Sequence, residues 1–125
     1  MLATVHSCAV VGLDGHIIDV EVDFNPRAGL PNFTIVGLPD SAVKESRERV
    51  RNALHAVGMA LPFRHITVNL APADLPKEGS HFDLAIALAL MVATGAIAPD
   101  AVEGYAAIGE LALDGSIRAV PGALP

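Results

Sequence analysis

At 125 residues, 52% of them apolar, the chain has the length of one domain and enough apolar side chains to bury a core. Its formal charge of -6 at pH 7 argues against general nucleic-acid binding by the domain itself, because phosphate contacts need clustered Lys and Arg. One cysteine, Cys8, excludes an intramolecular disulfide, and its setting beside Ala9, Val10 and Val11 predicts a small buried apolar residue in a reducing compartment.

Residues 4–11 and 16–24 alternate or run apolar on either side of Gly12-Leu13-Asp14-Gly15, whose Asp-Gly pair favours positive φ, so a hairpin is predicted. Within its second strand Ile18, Val20 and Val22 share one face, and Asp19, Glu21 and Asp23 share the other. One side of that strand therefore meets water. Residues 25–32 carry two prolines and Gly29 and read as a loop, and residues 33–36 make a short third strand. A helix is predicted over 41–57, with Asp40 as N-cap and Gly58 as its stop, and Val43, Val50, Leu54 and Val57 share one of its faces. A fourth strand over 64–70 points Ile66, Val68 and Leu70 one way.

After a loop over 71–79, a second helix over 82–94 is apolar around nearly its whole circumference, which predicts cover on several sides. Residues 105–112 and 116–120 form a second hairpin through Asp114-Gly115. The order βββαβαββ predicts an α/β two-layer sandwich built on a mixed sheet. The longest apolar stretch, 84–98, is interrupted by Thr94 and Gly95 and is shorter than the roughly 18 to 20 residues that span a bilayer. No basic residue precedes Arg27, so no secretory signal is expected and the chain reads as cytoplasmic, with no membrane partner.

The richest chemistry lies in Pro76-Lys77-Glu78-Gly79-Ser80-His81-Phe82-Asp83. Ser80, His81 and Asp83 do not form a compressed catalytic triad, because neighbours on a helix point about 100 degrees apart and cannot share a proton as nucleophile and base must. Ser80 and Asp83 fit a capping box instead. Lys77 and Glu78 read as a surface ion pair, with ligand orientation as the sharper reading, and Gly79 as the supplier of a backbone angle other residues resist.

A stripe of Lys44, Arg47 and Arg51 on the first helix is the only basic patch. Glu45 and Glu48 are spaced to pair with Arg49, Lys44 or Arg51, which describes a solvated face. The alternative is a docking surface for a neighbouring subunit or an ATPase domain, or a contact for a DNA phosphate. His6, His16, His55 and His65 lack metal-ligand spacing, and neither a phosphate loop nor Gly-x-Gly-x-x-Gly occurs, so no metal or cofactor site is expected.

The segment 76–83 resembles the active-site turn of Lon-type proteases, Pro-Lys-Asp-Gly-Pro-Ser-Ala-Gly, with His81 where the nucleophilic serine stands. A histidine there cannot form an acyl-enzyme as serine does, so no catalytic residue is expected and Lys77, Glu78, Gly79, Ser80 and His81 read as a degenerate motif. The run 36–51, Val-Gly-Leu-Pro-Asp-Ser-Ala-Val-Lys-Glu-Ser-Arg-Glu-Arg-Val-Arg, together with 109–115, resembles the ComM/YifB proteins, often labelled magnesium chelatase-like.

That resemblance covers essentially all 125 residues. It implies that 1–125 is a Lon-like N-terminal domain, with the fold of the Lon proteolytic domain and of domain 2 of a ribosomal small-subunit protein. An AAA+ ATPase using ATP and Mg is implied downstream, in a hexameric ring that branch-migrates DNA in natural transformation. The implied partners are the protein's own AAA+ domain, neighbouring subunits and DNA. In Lon-like domains a further helix follows and carries the catalytic lysine, and Pro125 falls about where that lysine would stand. A cryptic Lon-like serine peptidase using Ser80 and a magnesium chelatase ATPase subunit remain alternatives.

Overall fold

The computed structural model describes residues 2–11, 13–25, 32–59 and 65–118. β1 (Leu2–Val11) and β2 (Asp14–Asn25) pair antiparallel, with Val5 opposite Val20 and Cys8 opposite Ile17. The hairpin read from the sequence is present and its strands are longer than the apolar alternation indicated. β4 (His65–Ala71) pairs antiparallel with the other side of β2, and β3 (Asn32–Val36) lies parallel to β4, giving a mixed sheet in the order β1-β2-β4-β3. A parallel neighbour requires a crossover, which the first helical region supplies.

That region is not the continuous helix expected over 41–57. It divides into α1 (Ser41–Lys44) and α2 (Ser46–Ala56). The carbonyl of Ala42, which would accept from Ser46 N in an unbroken helix, instead accepts from Arg49 Nη2 at 2.8 Å. Asp40 caps α1 as expected, its Oδ1 accepting from Val43 N at 2.7 Å. Before it the chain leaves β3 through Gly37 and Leu38, both at positive φ (109° and 56°). A side chain at Gly37 would meet the backbone oxygen of Leu70 at 2.2 Å, so only glycine lets this turn lie on β4.

The period-two pattern becomes two faces. Ile18, Val20, Val22, Ile66, Val68 and Leu70 are buried on one side. α3 (Asp83–Ala93) covers that side, packing on β1, β2, α2 and β5 (Glu110–Leu111), so its apolar circumference is enclosed on several sides. The other side carries Asp19, Glu21, Thr67 and Asn69, where His6 Nδ1 meets Asp19 at 2.7 Å and Asn69 Nδ2 donates to Glu21 at 2.7 Å. Cys8 belongs to this side. It is half-buried, not a core residue, because the inward positions of β1 fall on Ala3, Val5, Ser7 and Ala9.

The second hairpin joins β5 to β6 (Ile117–Arg118) through Asp114-Gly115 and is shorter than expected; residues 119–120 lie outside those described. Upstream, Ala106 bridges to His6 in parallel, with Ala107 N donating to His6 O at 2.8 Å, so this segment borders β1 on the side away from β2. No helix among the described residues is long and apolar enough to cross a membrane.

Candidate functional site

The loop between β4 and α3 begins with a cis Ala71-Pro72 peptide and is fastened to the entrance of α1. Lys77 N donates to Leu38 O at 3.0 Å, and Lys77 O accepts from Asp40 N at 2.9 Å. Asp40 serves twice, because its Oδ2 also accepts from Gly79 N at 3.2 Å. Gly79 has φ +88°, the conformation expected of it from the sequence.

Lys77 overturns the surface ion-pair reading. Its side chain is fully buried, and Nζ donates to the carbonyl of Pro72, while Glu78 is exposed. Burial pushes the ammonium below the ordinary lysine value, and the negative charge of Asp74 works in the opposite direction. Sequence adjacency of Lys and Glu could not show this, since a lysine's methylene stem packs as readily inward as outward.

His81, at the position of the protease serine, is held from three directions. Its Nε2 lies 2.8 Å from the carbonyl of Cys8, so that nitrogen carries the proton. Its ring lies 4.1 Å from that of Phe82, and its carbonyl accepts from Gly109 N at 2.9 Å. The chain has two lysines, Lys44 and Lys77. Among the described residues no hydrogen bond joins either to Ser80, and the Lys77 amine is directed to Pro72.

Asp83 overturns the capping-box reading. Ser80 contributes a backbone carbonyl to the turn, accepting from Asp83 N at 3.3 Å, but the Asp83 carboxylate faces inward and is fully buried. It accepts from Ser46 Oγ at 2.5 Å, Arg49 Nε at 2.6 Å, Arg49 Nη2 at 3.1 Å and Leu111 N at 3.1 Å. Hydrogen bonding to Asp83 raises the Arg49 guanidinium above its ordinary value against the effect of burial, with the charges of Asp83, Glu110 and Glu45 adding to the rise. Ser46 and Arg49 are the functional-looking residues that sequence reading missed as a pair. Their spacing of three places both on one helical face, but nothing in the sequence connects them to Asp83.

Lys44, Arg47 and Arg51 are all exposed along α1 and α2, as their spacing indicated. Arg51 lies 3.7 Å from Glu48 and 5.9 Å from the Phe33 ring, and Arg49 lies 3.6 Å from Glu45. Lys44 and Arg47 have no ion-pair partner among the described residues. The loop and the stripe are thus joined through Asp40, which holds Gly79 and caps the helix that carries Lys44. Among the described residues no three His, Cys, Asp or Glu side chains gather as a metal site would require.

A family model described as subunit ChlI of Mg-chelatase matches residues 20–125. YifB of Salmonella typhimurium is 49% identical over 123 residues, covering 98% of this chain and 24% of that protein, and YifB of Escherichia coli is 48% identical over the same coverage. The competence protein ComM of Haemophilus influenzae is 44% identical over 124 residues, covering 99% of this chain and 24% of its own length. The chain spans about a quarter of the length of these relatives. The run from Val36 to Arg51, the loop around Lys77 and this identity along nearly the whole chain carry one conclusion: the chain belongs to the ComM/YifB family of magnesium chelatase-like proteins.

Proposed function

We propose that this chain is a noncatalytic Lon-like domain serving assembly or substrate guidance in a larger AAA+ ATPase, a hexameric motor that uses ATP and Mg to branch-migrate DNA in natural transformation. The motor's nucleotide and metal are bound by its ATPase domain, and the protein works in the cytoplasm. One observation carries the noncatalytic reading. The loop's lysine is buried against the Pro72 carbonyl and its serine position is filled by a histidine bonded to Cys8, so among the described residues no hydroxyl lies beside an amine able to deprotonate it.

The relation to a competence protein supports the role in transformation, and the match to a chelatase subunit supports the ATPase. A mixed sheet with its helices against one face supports the likeness to the Lon proteolytic fold. The test uses the full-length protein and its Ser80→Ala variant, incubated with casein and fluorogenic peptides and, separately, with ATP and branched DNA. Equal ATP-dependent strand exchange and no cleavage by either protein is expected. Peptide cleavage abolished by Ser80→Ala would replace this reading with that of a serine peptidase.

A further inference from the structure

The two ends of the sheet differ in charge. At one end β3 pairs only with β4 among the described residues, so its outer edge is open. α2, which carries Arg47 and Arg51, packs against β3, Arg51 lies over the Phe33 ring of that strand, and Lys44 ends α1 just ahead of α2. Val36 and Leu38, which end and follow the strand, are exposed at 42% and 53%.

Beyond β1, at the other end and about 19 Å away across four strand spacings, runs the segment from Asp100 to Tyr105. The bridge between His6 and Ala106 fixes its place. Asp100 and Glu103 are exposed, and Tyr105 is 72% exposed. Neither acid has an ion-pair partner among the described residues.

The β3 end thus carries two cations, Lys44 and Arg47, without an ion-pair partner among the described residues, and the Asp100–Tyr105 segment carries two carboxylates without one, beside an exposed aromatic ring. Glu45 and Glu48 lie among the cations but are directed to Arg49 and Arg51, and the exposed Asp74 and Glu78 lie in the loop at the entrance of α1. Opposite ends of one molecule cannot meet each other, but they can meet in successive copies. We infer that the basic β3 end of one copy receives the Asp100–Tyr105 segment of the next, a head-to-tail contact between subunits. Such a contact repeats around a closed ring, and complementary charge sets its register. The inference rests on the proposed assembling protein and names the surface through which its domains touch.

The test uses the full-length protein freed of native cysteines, Cys8 included as Cys8→Ala, and carrying either Arg47→Cys or Glu103→Cys. A flexible bismaleimide should join the two variants when they are mixed and assembled together, and should join neither to itself. As a second reading, Arg47→Glu should raise the concentration needed for assembly by roughly tenfold, and adding Glu103→Arg to the same chain should restore it.

Self-joining of either single variant would reveal a symmetric contact and overturn the inference. So would the absence of any joined species while sedimentation still shows an oligomer, an outcome that leaves the assembling reading intact. A protein that stays monomeric with ATP would overturn both. Joined species without ATP-driven DNA exchange would overturn the motor and leave the contact standing.

Discussion

Arg49 grips Asp83 with two nitrogens at once, Nε at 2.6 Å from Oδ2 and Nη2 at 3.1 Å from Oδ1. The carboxylate has no exposed surface, and Ser46 and Leu111 N complete its shell, so three elements depend on one side chain. Removing one partner of such a pair leaves an uncompensated charge inside. Asp83→Ala is expected to lower stability by about 3 kcal/mol, and Ser46→Ala by about 1 kcal/mol. Urea unfolding of the two variants checks the order; equal losses would show that the ion pair does not dominate.

Lys77 gives stability a pH dependence of definite sign. Its folded pKa lies below the ordinary 10.5 because burial disfavours the ammonium, so the unfolded chain binds more protons. Stability should therefore rise as pH climbs toward 10.5, where the unfolded lysine also begins to lose its proton. Lys77→Met fills the stem's volume without a charge and should flatten that part of the profile. Identical slopes for the two proteins, measured by urea midpoints at stepped pH, would place the lysine's charge in water.

Restoring the protease serine should not restore cleavage. His81→Ser supplies the hydroxyl, but the nearest loop lysine remains directed at Pro72, and the bond from Nε2 to the Cys8 carbonyl is lost. The expected outcome is no turnover of a fluorogenic peptide and a stability loss of about 1 kcal/mol. Peptide turnover above that of the parent would show that a base is already in place.

Reversing the stripe separates a solvated face from a docking face. Arg47→Glu with Arg51→Glu in the full-length protein should leave folding within about 0.5 kcal/mol, since exposed pairs contribute little. It should weaken subunit association or DNA binding. Unchanged sedimentation, ATPase rate and DNA affinity would remove the stripe from any interface.

Gly37→Ala should be among the most damaging single changes. It combines φ +109° with a methyl group 2.2 Å from the Leu70 oxygen, so either β3 or β4 must shift. A loss of more than about 2 kcal/mol is expected from strain and the broken approach together. A thermal scan with an unchanged midpoint would contradict the geometry.

Alternation makes the sheet legible in the sequence. Period two sets Ile18, Val20 and Val22 on one face of β2 and Ile66, Val68 and Leu70 on one face of β4, and all six are buried. α3 was equally clear, because a helix apolar on every side has to be enclosed. What the sequence hid were choices between partners distant along the chain. Asp83 matches a local cap by spacing, yet its carboxylate turns to Ser46 and Arg49, 37 and 34 residues away. Lys77 matches a local ion pair, yet the loop folds its stem inside. Cys8 sits among apolar neighbours, and its exposure follows from strand parity, which a list of neighbours does not reveal. Local pattern favoured the nearest partner in each case, and tertiary packing overrode it.

The open margin of β3 has a consequence outside the assembled protein. Asn32-Phe33-Thr34-Ile35-Val36 is five residues with no charge and four strand formers, and its outer-edge amides and carbonyls, unpaired by any strand among the described residues, can template an extended peptide. The cations beside it act as gatekeepers. Stripped of them, or kept from its neighbours, this margin is where concentrated solutions of the protein would begin to polymerise into cross-strand aggregates.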